Sequence, residues 1–444
     1  MSYEKKPNKD ISSIDLTEED LYTTKKTNED KVKKVIYKDD EDKQKSESRW
    51  EEFKLKPKLI EGVYRVGFEK PSPIQCIAVP AIVSGKDVRA QSESGTGKTG
   101  AFCVGTLERI DTSLSTTQCL VLVSTREIAK QISGLYETVG ELLGVNSKLL
   151  IGGRKLEQDK SDLVNNNYHV VVGTPGRVYE MINKGYLKIE NLKMMVLDEA
   201  DELFKADFQL QIRAIYELAV ESKVGSDGLQ TLFFSATYSQ EDLNVVSNIS
   251  PDPIIVDMRS DEHTLQGVKQ YLVCFERNFG PRNDEEARVK EVCFKVSTLM
   301  AIIAEQKINQ MLVFIRRKKD ANIVADILKR KGYNCDCITA DLEQEERETV
   351  IEEFRKGTTR ILVASDILKR GVDFQGLSMV ICLDVPPYDS RDIYFHRVGR
   401  TGRYGRRGTA IHIVNSSDLS NLLRIAGEYK STIDYLPDDF KFSD

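Results

Sequence analysis

A loop that binds phosphate groups is indicated by six consecutive residues, Ser94-Gly95-Thr96-Gly97-Lys98-Thr99. Its two glycines let the backbone turn tightly and point N–H groups at an anion. A helix that begins near Lys98 adds its positive N-terminal end, the Lys98 ammonium neutralises β- and γ-phosphates, and the Thr99 hydroxyl reaches Mg²⁺. Ser92 stands where the strict pattern has glycine. Taken alone, the motif therefore leaves a flexible Gly/Ser loop as the alternative.

A second motif for phosphate chemistry follows about one hundred residues later, at Met194-Met195-Val196-Leu197-Asp198-Glu199-Ala200-Asp201. An acid at the end of an apolar strand, here Asp198, can hold Mg²⁺ beside the phosphate loop, and Glu199 can polarise the attacking water. The ordinary alternative is an acid that caps a helix. Together the two motifs supply a phosphate cradle, a cation, a metal anchor and a base, which are the parts that nucleotide hydrolysis needs.

Length and composition predict a soluble protein of two domains. The chain has 444 residues, a net charge of −6 and no apolar run near the roughly 20 residues that a membrane span needs. The N-terminus is polar and does not resemble a secretory signal. Eight scattered cysteines without a C-x-x-C pair indicate reduced thiols and a cytoplasmic or nuclear location. The negative charge argues against nucleic-acid binding, whereas the arginine-rich segment 391–407 argues for it locally.

The hydrophobic pattern predicts three regions: a disordered charged tail (1–48) and two domains (49–257 and 265–444). Short apolar runs alternate with longer amphipathic stretches, which is typical of an α/β fold with parallel sheets covered by helices on both faces. The polar stretch 276–291 reads as a surface insertion. The runs lie at 119–123, 169–172, 194–197 and 231–234 in the first domain, and at 311–315, 335–339, 361–364, 379–383 and 409–414 in the second.

Polar side chains directly follow many of these runs. In open α/β sheets, ligands bind beyond the carboxyl ends of the strands, so these side chains should line one edge of each sheet. The segments are Ser124-Thr125-Arg126-Glu127, Gly173-Thr174-Pro175-Gly176-Arg177, Asp198-Glu199-Ala200-Asp201, Ser235-Ala236-Thr237 and Ser365-Asp366.

At Asp198-Glu199-Ala200-Asp201 the chain resembles the DEAD-box ATP-dependent RNA helicases of helicase superfamily 2, and the resemblance covers about residues 50 to 430. It implies two RecA-like domains, ATP and Mg²⁺ as cofactors, and RNA-dependent ATPase and helicase activity. Gly67 to Gln75 resembles the adenine-reading motif of the family, with Gln75 bonded to the adenine edge and Phe53 stacked on the ring. Without the resemblance, Phe53 and Gln75 are an ordinary core and an ordinary surface residue.

The resemblance also assigns roles around the cleft between the domains. Ser235 and Thr237 resemble the motif that couples hydrolysis to strand separation, through bonds to the carboxylates of Asp198 and Asp201; a strand-end cap is the alternative. His396 to Arg403 resembles an arginine-rich motif of the second domain. The residues that this comparison places at the nucleotide are Arg400 and Arg403 as arginine fingers, His396 within the same network, and Gly371 with Asp373, which would touch the ribose or Arg400.

The remaining motif matches are implied to hold RNA by its sugar–phosphate backbone. They are hydroxyls, glycines and arginines, and no aromatic stripe for base stacking accompanies them, so binding without sequence preference is expected. The residues are Thr125, Arg126, Gly152, Gly153, Thr174, Pro175, Gly176, Arg177, Arg316, Arg347, Ser365 and Asp366, with Glu127, Phe314, Gln344, Glu345 and Glu346 beside them.

The sequence favours an RNA helicase that acts as a monomer, away from membranes, with ribonucleoprotein or assembly-complex proteins as partners. An ATP-gated RNA clamp with little unwinding is the alternative, because it uses the same residues, and a DNA translocase is a third. Ser124, Ser92 and Lys369 depart from the family pattern, and Lys369 places a cation beside the expected RNA and ATP contacts. Among subgroups, the sequence most resembles the helicase of spliceosomal ribonucleoprotein assembly, then the mRNA-export helicases.

Overall fold

The structure is a computed structural model of the chain. It describes residues 34–36, 48–92, 95–222, 228–258, 268–281, 283–304, 310–366, 374, 377–402, 408–429 and 431–437. Within them, two parallel β-sheets follow one another along the chain, each flanked by helices. The first lobe comprises described residues up to 258 and the second lobe those from 268. This arrangement confirms the tandem α/β fold that the sequence predicts.

The first lobe contains an eight-stranded sheet with the strand order β1-β8-β2-β7-β6-β3-β5-β4, and all its pairings are parallel. Short 3₁₀ turns lie at Trp50–Phe53 and Glu141–Leu143. The strands are β1 (Lys34–Ile36), β2 (Val88–Gln91), β3 (Cys119–Leu122), β4 (Ser147–Leu150), β5 (Val170–Gly173), β6 (Met194–Asp198), β7 (Gln230–Ser235) and β8 (Ile254–Asp257). The helices are α1 (Pro57–Arg65), α2 (Pro73–Val83), α3 (Lys98–Arg109), α4 (Arg126–Gly140), α5 (Leu156–Asn165), α6 (Pro175–Asn183), α7 (Ala200–Leu203), α8 (Ala206–Glu221) and α9 (Gln240–Ile249).

The second lobe contains a seven-stranded parallel sheet with the order β11-β12-β10-β13-β14-β9-β15. A 3₁₀ turn at Tyr388–Ser390 precedes the helix that carries His396 and Arg397. The strands are β9 (Val268–Phe275), β10 (Met311–Phe314), β11 (Cys335–Ile338), β12 (Ile361–Ala364), β13 (Met379–Cys382), β14 (Gly408–Asn415) and β15 (Asp434–Tyr435). The helices are α10 (Glu285–Ala304), α11 (Lys318–Arg330), α12 (Gln344–Arg355), α13 (Asp392–Val398) and α14 (Ser416–Glu428).

Each sheet is buried on both faces, and this explains the uninterrupted apolar runs of the sequence. Side chains alternate along a strand, so Leu120 packs into one hydrophobic cluster of the first lobe and Val121 into the other. The neighbouring strand repeats the pattern with Val170 and Val171. Parallel strands place all their carboxyl ends at one edge of the sheet, and the polar segments of the sequence begin there.

Three features differ from the sequence-based expectations. Residues 34–36 form strand β1, which pairs with β8, in a tail for which the sequence predicts no strand; residues 1–33 and 37–47 lie outside the described residues. The last strand of the first lobe, β8, lies in the segment that interrupts the alternation of the sequence. Helix α10 begins within the stretch 276–291, which is therefore only partly a surface insertion.

Candidate functional site

The phosphate loop joins strand β2 to helix α3, which begins at Lys98 as the sequence predicts. Gly95 and Gly97 have φ values of 81° and 102°, a backbone conformation that favours glycine. A Cβ atom on Gly97 would lie 2.6 Å from the Ser72 Oγ, so the close packing of the loop also requires glycine here. Ser94 lies outside the described residues, and the rest of the loop has the turn that a phosphate cradle needs.

The side chain of Gln75 connects the phosphate loop to the start of helix α2. Its Nε2 donates to the carbonyl of Gly97 at 3.1 Å, and its Oε1 accepts from the backbone N–H of Ser72 at 2.8 Å. The residue is buried, so the expectation that it is an ordinary surface residue without the family context is wrong. Phe53 lies beside Trp50, with the ring centroids 5.7 Å apart. The adenine contacts of Gln75 and Phe53 remain predictions, while bracing of the loop is what this geometry shows for Gln75.

The cationic and metal-binding side chains of the motif lie at the start of α3. Lys98 Nζ donates to the carbonyl of Ser92 at 2.6 Å, across the mouth of the loop. Ser92 Oγ donates to Thr96 Oγ1 at 2.8 Å, so the serine that replaces the pattern's glycine ties the two ends of the loop together. Thr99 follows on the first turn of the helix, half-buried.

Two carboxylates end strand β6 on the same edge. Asp198 is buried, and burial raises the pKa of its carboxyl group to about 6, opposed by the nearby Lys98 ammonium. Glu199 N–H donates to Asp198 Oδ1 at 3.0 Å, and the Glu199 carboxylate accepts from Ser124 Oγ at 3.2 Å. Glu199 has φ 52° and ψ 50°, a left-handed conformation for a residue that is not glycine. This backbone turn directs the two neighbouring carboxylates to different partners.

Asp201 connects three segments at the centre of the site. It accepts a hydrogen bond from Ser235 Oγ at 2.7 Å and another from Thr237 Oγ1 at 2.6 Å. On its other side, Oδ2 lies 4.0 Å from Nε2 of His396, which belongs to the second lobe. The predicted bonds of the two hydroxyls therefore form to Asp201, and no bond from them to Asp198 is seen. His396 is brought to the first lobe as part of this cluster.

Of the second-lobe residues that are predicted to lie at the nucleotide, the structure describes His396 and Arg400. Arg400 is buried, and its Nε donates to the carbonyl of His396 at 3.0 Å. Arg403, Gly371 and Asp373 lie outside the described residues, as does Lys369. The predicted arginine fingers therefore rest on Arg400 in the structure, and their roles at the nucleotide remain predictions.

Some predicted RNA residues cap helices at the carboxyl edge of the first sheet. Thr125 Oγ1 accepts from the N–H of Ile128 at 3.3 Å at the start of α4, and Thr174 precedes α6, which begins at Pro175. A Cβ atom on Gly152 would lie 3.3 Å from the Arg126 guanidinium. Gly153 follows Gly152 and has a φ of 87°, and Gly176 lies on the first turn of α6. This edge of the sheet therefore carries two helix starts, a glycine turn and an arginine.

Three other predicted RNA residues point into the protein. The Arg177 side chain is 9% exposed and lies between Asp159, to which it donates, and Glu180, whose Oε2 lies 3.3 Å from its Nε. Arg347 Nη1 reaches Glu127 Oε1 of the first lobe at 3.3 Å.

Asp366 accepts two bonds from Arg397, at 3.1 and 2.6 Å. The side chains of Arg177, Arg347 and Asp366 thus form ion pairs with other residues of the protein. Their direct contact with RNA remains a prediction that this arrangement does not favour, because buried charged groups require partners.

Arg397 is a buried residue that the sequence reading does not assign to a role. It is fully buried, bonds to Asp366 and also to Asp384 Oδ1 at 2.7 Å, and lies 5.5 Å from the Phe314 ring centroid. Phe314 is therefore a core residue beneath the guanidinium. The backbone N–H of Arg316, whose side chain is exposed, donates to Asp384 Oδ2 at 2.6 Å. Asp384 follows an apolar run, so the rule that polar residues after strands form the site could have found it.

Ser365 and the residues around Arg347 complete the predicted set. Ser365 is buried at the end of β12, where its N–H donates to the carbonyl of Ile338 at 3.2 Å. Glu345 and Glu346 lie exposed on the first turn of α12, which Gln344 begins. Asp159, which lies on α5 with no preceding apolar run, is a partner that no sequence pattern assigned. Glu127 belongs to a segment that the sequence predicts to hold RNA, but it pairs with Arg347 instead.

The residues fit a divalent cation bound together with a nucleotide. No cluster of three or more His, Cys, Asp or Glu side chains with metal-binding geometry occurs within the described residues. A magnesium ion in a phosphate site takes one or two protein oxygens and the phosphates, so Thr99 and Asp198 are sufficient. Burial raises the pKa of Asp198 and so disfavours its ionised form, which a bound cation would favour. All eight cysteines are free thiols.

No helix among the described residues has the length and apolar character needed to cross a membrane.

Comparisons with known proteins identify the family. The DEAD/DEAH box helicase domain matches residues 72–245, and the helicase conserved C-terminal domain matches residues 294–405. The chain is 45% identical over 393 residues to the ATP-dependent RNA helicase eIF4A of Encephalitozoon cuniculi, covering 88% of this chain and 91% of that relative. It is 37% identical to the ATP-dependent RNA helicase FAL1 of Meyerozyma guilliermondii, covering 88% and 92%.

Solved structures agree with this result. The structure of S. cerevisiae Dbp5 bound to RNA and ADP BeF3 matches with a TM-score of 0.76 and 29% identity, covering 88% of this chain and 96% of that one. This likeness confirms the RecA-like character of both lobes. The relatives named here are eIF4A and FAL1 helicases, so the expected resemblance to the ribonucleoprotein-assembly or mRNA-export subgroups is not supported. The chain belongs to the DEAD-box family of ATP-dependent RNA helicases, enzymes whose ATP hydrolysis depends on RNA.

Proposed function

We propose that this chain closes its two lobes on ATP, Mg²⁺ and single-stranded RNA, and that closure separates short duplexes or remodels RNA–protein complexes. The observation that carries the proposal is the position of Asp201, which bonds to Ser235 and Thr237 of the first lobe and lies 4.0 Å from His396 of the second. A change at the phosphate end of β6 therefore reaches both the β7 end of its own sheet and the opposite lobe.

The nucleotide would lie at the carboxyl edge of the first sheet. Lys98 and the loop N–H groups bind the phosphates, and Thr99 and Asp198 hold Mg²⁺, which when bound offsets the negative charge of the phosphates. Glu199 orients and deprotonates the attacking water, since its carboxylate is fixed by the Ser124 hydroxyl at 3.2 Å. Arg400, from the second lobe, would stabilise charge that develops on the transferred phosphoryl group once the lobes close.

RNA would bind along the helix starts Thr125 and Thr174-Pro175-Gly176 and the Gly152-Gly153 turn. Backbone N–H groups and hydroxyls at such sites contact phosphates and sugars, so we expect no preference for base sequence. Affinity should fall with salt, with a slope in log–log form near −0.7 per phosphate contacted. Remodelling of ribonucleoprotein complexes, a monomeric state and a cytoplasmic or nuclear location belong to the same proposal. The free cysteines, half of them buried, support a reducing compartment.

The test is RNA-dependent ATPase and duplex displacement by the purified full chain, with Glu199→Gln and Lys98→Ala as variants. We expect RNA to stimulate hydrolysis by the wild type, and Glu199→Gln to bind ATP and RNA while losing at least a hundredfold in turnover, the range of general base catalysis. Intact RNA-stimulated ATPase in Glu199→Gln would show that another group activates the water.

The ATP-gated clamp is distinguished in the same assay. A clamp would retain RNA stably with ATP and release little of the displaced strand in a single turnover, whereas a helicase releases the strand before hydrolysis resets the lobes. The buried cross-lobe pair of Glu127 and Arg347 favours a long-lived closed state and keeps this second function in consideration.

A further inference from the structure

Two exposed ion pairs join the lobes outside the site described above. Lys130 Nζ lies 2.5 Å from Glu348 Oε2, and Lys205 Nζ lies 3.6 Å from Asp392 Oδ2. In both pairs the first lobe provides the lysine and the second lobe provides the carboxylate. The lobes are therefore complementary in charge at two separate points.

The first of these pairs extends a buried contact. Lys130 lies three residues after Glu127 on helix α4, so the two side chains share a face of the helix. Glu348 directly follows Arg347 on helix α12. The exposed pair thus flanks the buried Glu127–Arg347 bond of 3.3 Å at the solvent edge of the same lobe interface.

The second pair flanks the other buried contact in the same way. Lys205 lies four residues after Asp201, and Asp392 lies four residues before His396, so this pair accompanies the Asp201–His396 contact. Lys205 also lies 2.7 Å from Glu202 of its own lobe. Lys205 keeps that partner when the lobes separate.

We propose that Lys130 and Glu348 are positioning residues for the RNA-dependent reaction, whose mutual attraction favours the closed lobes; this rests on the closure described under the proposed function. Helix α4 begins directly after Thr125, so closing this edge also brings the RNA-binding side of the first lobe toward the second. An exposed pair changes an equilibrium by up to about fivefold, and reversing one charge adds a repulsion of similar size. The pair therefore adjusts the RNA concentration that the enzyme needs.

The experiment compares Lys130→Glu, Glu348→Lys and the double charge swap in the full chain. For each protein, ATPase is measured at saturating ATP against the concentration of a single-stranded poly(U) RNA at low salt. We expect each single variant to raise the half-stimulating RNA concentration by about three- to tenfold, with turnover at saturating RNA unchanged. We expect the double swap to return that concentration to within about twofold of the wild type.

The control is Lys184→Glu, which makes the same charge change on a first-lobe lysine that pairs at 2.7 Å with Glu180 of its own lobe. It should leave the half-stimulating concentration within about twofold. Far-UV circular dichroism during urea unfolding, which reports on both lobes, checks that every variant folds. These measurements separate an effect of lobe pairing from a general effect of charge.

Four outcomes would overturn the proposal. One is the absence of any effect in the single variants. Another is weaker RNA stimulation in Lys130→Glu together with stronger stimulation in Glu348→Lys, because opposite effects mean that each charge acts on RNA alone, and these effects would cancel in the swap without any pairing. A wild type that RNA does not stimulate would overturn the proposed function as well, whereas a stimulated wild type without restoration would overturn the ion pair alone.

Discussion

Replacing Arg397 with methionine tests how much the second lobe depends on one buried charge. The Arg397 guanidinium is fully buried and bonds to Asp366 at 2.6 Å and Asp384 at 2.7 Å. Removing one partner of a buried ion pair costs about 3–5 kcal/mol, because the remaining charge stays buried without compensation. Here the two carboxylates are 20% and 26% exposed and can recover some hydration. Methionine keeps packing against Phe314, so we expect a loss near the lower limit, about 3 kcal/mol.

Urea unfolding resolves this loss because the chain has a single tryptophan. Trp50 is fully buried in the first lobe, so its fluorescence reports on that lobe, while far-UV circular dichroism reports on both. With a urea slope of about 2 kcal/mol/M, a loss of about 3 kcal/mol moves the second-lobe midpoint down by about 1.5 M. The fluorescence transition should stay where it is in the wild type.

Arg391→Met is the matched control for this variant. Arg391 is 45% exposed and pairs with Glu428 at 2.7 Å, so its removal should cost under about 1 kcal/mol. A loss below about 1 kcal/mol for Arg397→Met as well would refute the reasoning, since a buried cation with two carboxylate partners would then be worth no more than a surface one. A shift confined to the fluorescence transition would equally contradict it.

Three further predictions concern pH and the Asp201 cluster. Burial, reinforced by a nearby guanidinium, lowers the pKa of His412 to about 3, so below pH 6.5 the unfolded chain binds more protons than the folded chain. The free energy of unfolding of the second lobe should therefore fall by about 1.4 kcal/mol per pH unit as the pH falls from 6.5. His412→Gln should remove this pH dependence when unfolding is followed by circular dichroism. Burial raises the pKa of Asp198 to about 6, so between pH 4 and 6 the folded state binds more protons than the unfolded state. The stability of the nucleotide-free first lobe should therefore fall as the pH rises through this range. In Asp198→Asn, the urea midpoint from Trp50 fluorescence should vary less with pH. Ser235→Ala should cost the first lobe about 1.5–3 kcal/mol, the value of a hydrogen bond to a charged group; a cost below about 0.5 kcal/mol would mean that water replaces the hydroxyl at Asp201.

Most of the strands that the sequence predicts are buried on both faces. The run 361–364 matches β12, and 311–315 and 379–383 match β10 and β13 with one extra residue each. Strand β2 could not be found in this way, since its sequence Val-Arg-Ala-Gln has no apolar run. Its polar side chains find partners that only the tertiary fold provides: Gln91 donates to the carbonyl of Ala236 at 3.1 Å, from a segment 145 residues away.

The same limit applies to the site. Residue types and spacing predicted the phosphate loop, the β6 carboxylates and the bonds of Ser235 and Thr237 to a nearby carboxylate, because each motif is local or lies at a strand end. They did not predict that Arg177 and Arg347 turn inward. An arginine reads the same in sequence whether it faces a phosphate or a buried carboxylate, and the deciding partners, Asp159 and Glu127, are set by packing.

The left-handed backbone at Glu199 has a consequence for how this enzyme can change. A side chain in that conformation costs about 1–2 kcal/mol relative to glycine, which adopts it freely. Glycine would therefore make the first lobe more robust, but it would carry no carboxylate to accept the Ser124 hydroxyl or to face a water molecule. Thermal stability therefore favours glycine at position 199, whereas turnover requires glutamate. Selection for thermostable variants would favour loss of the Glu199 carboxylate and of ATP hydrolysis with it.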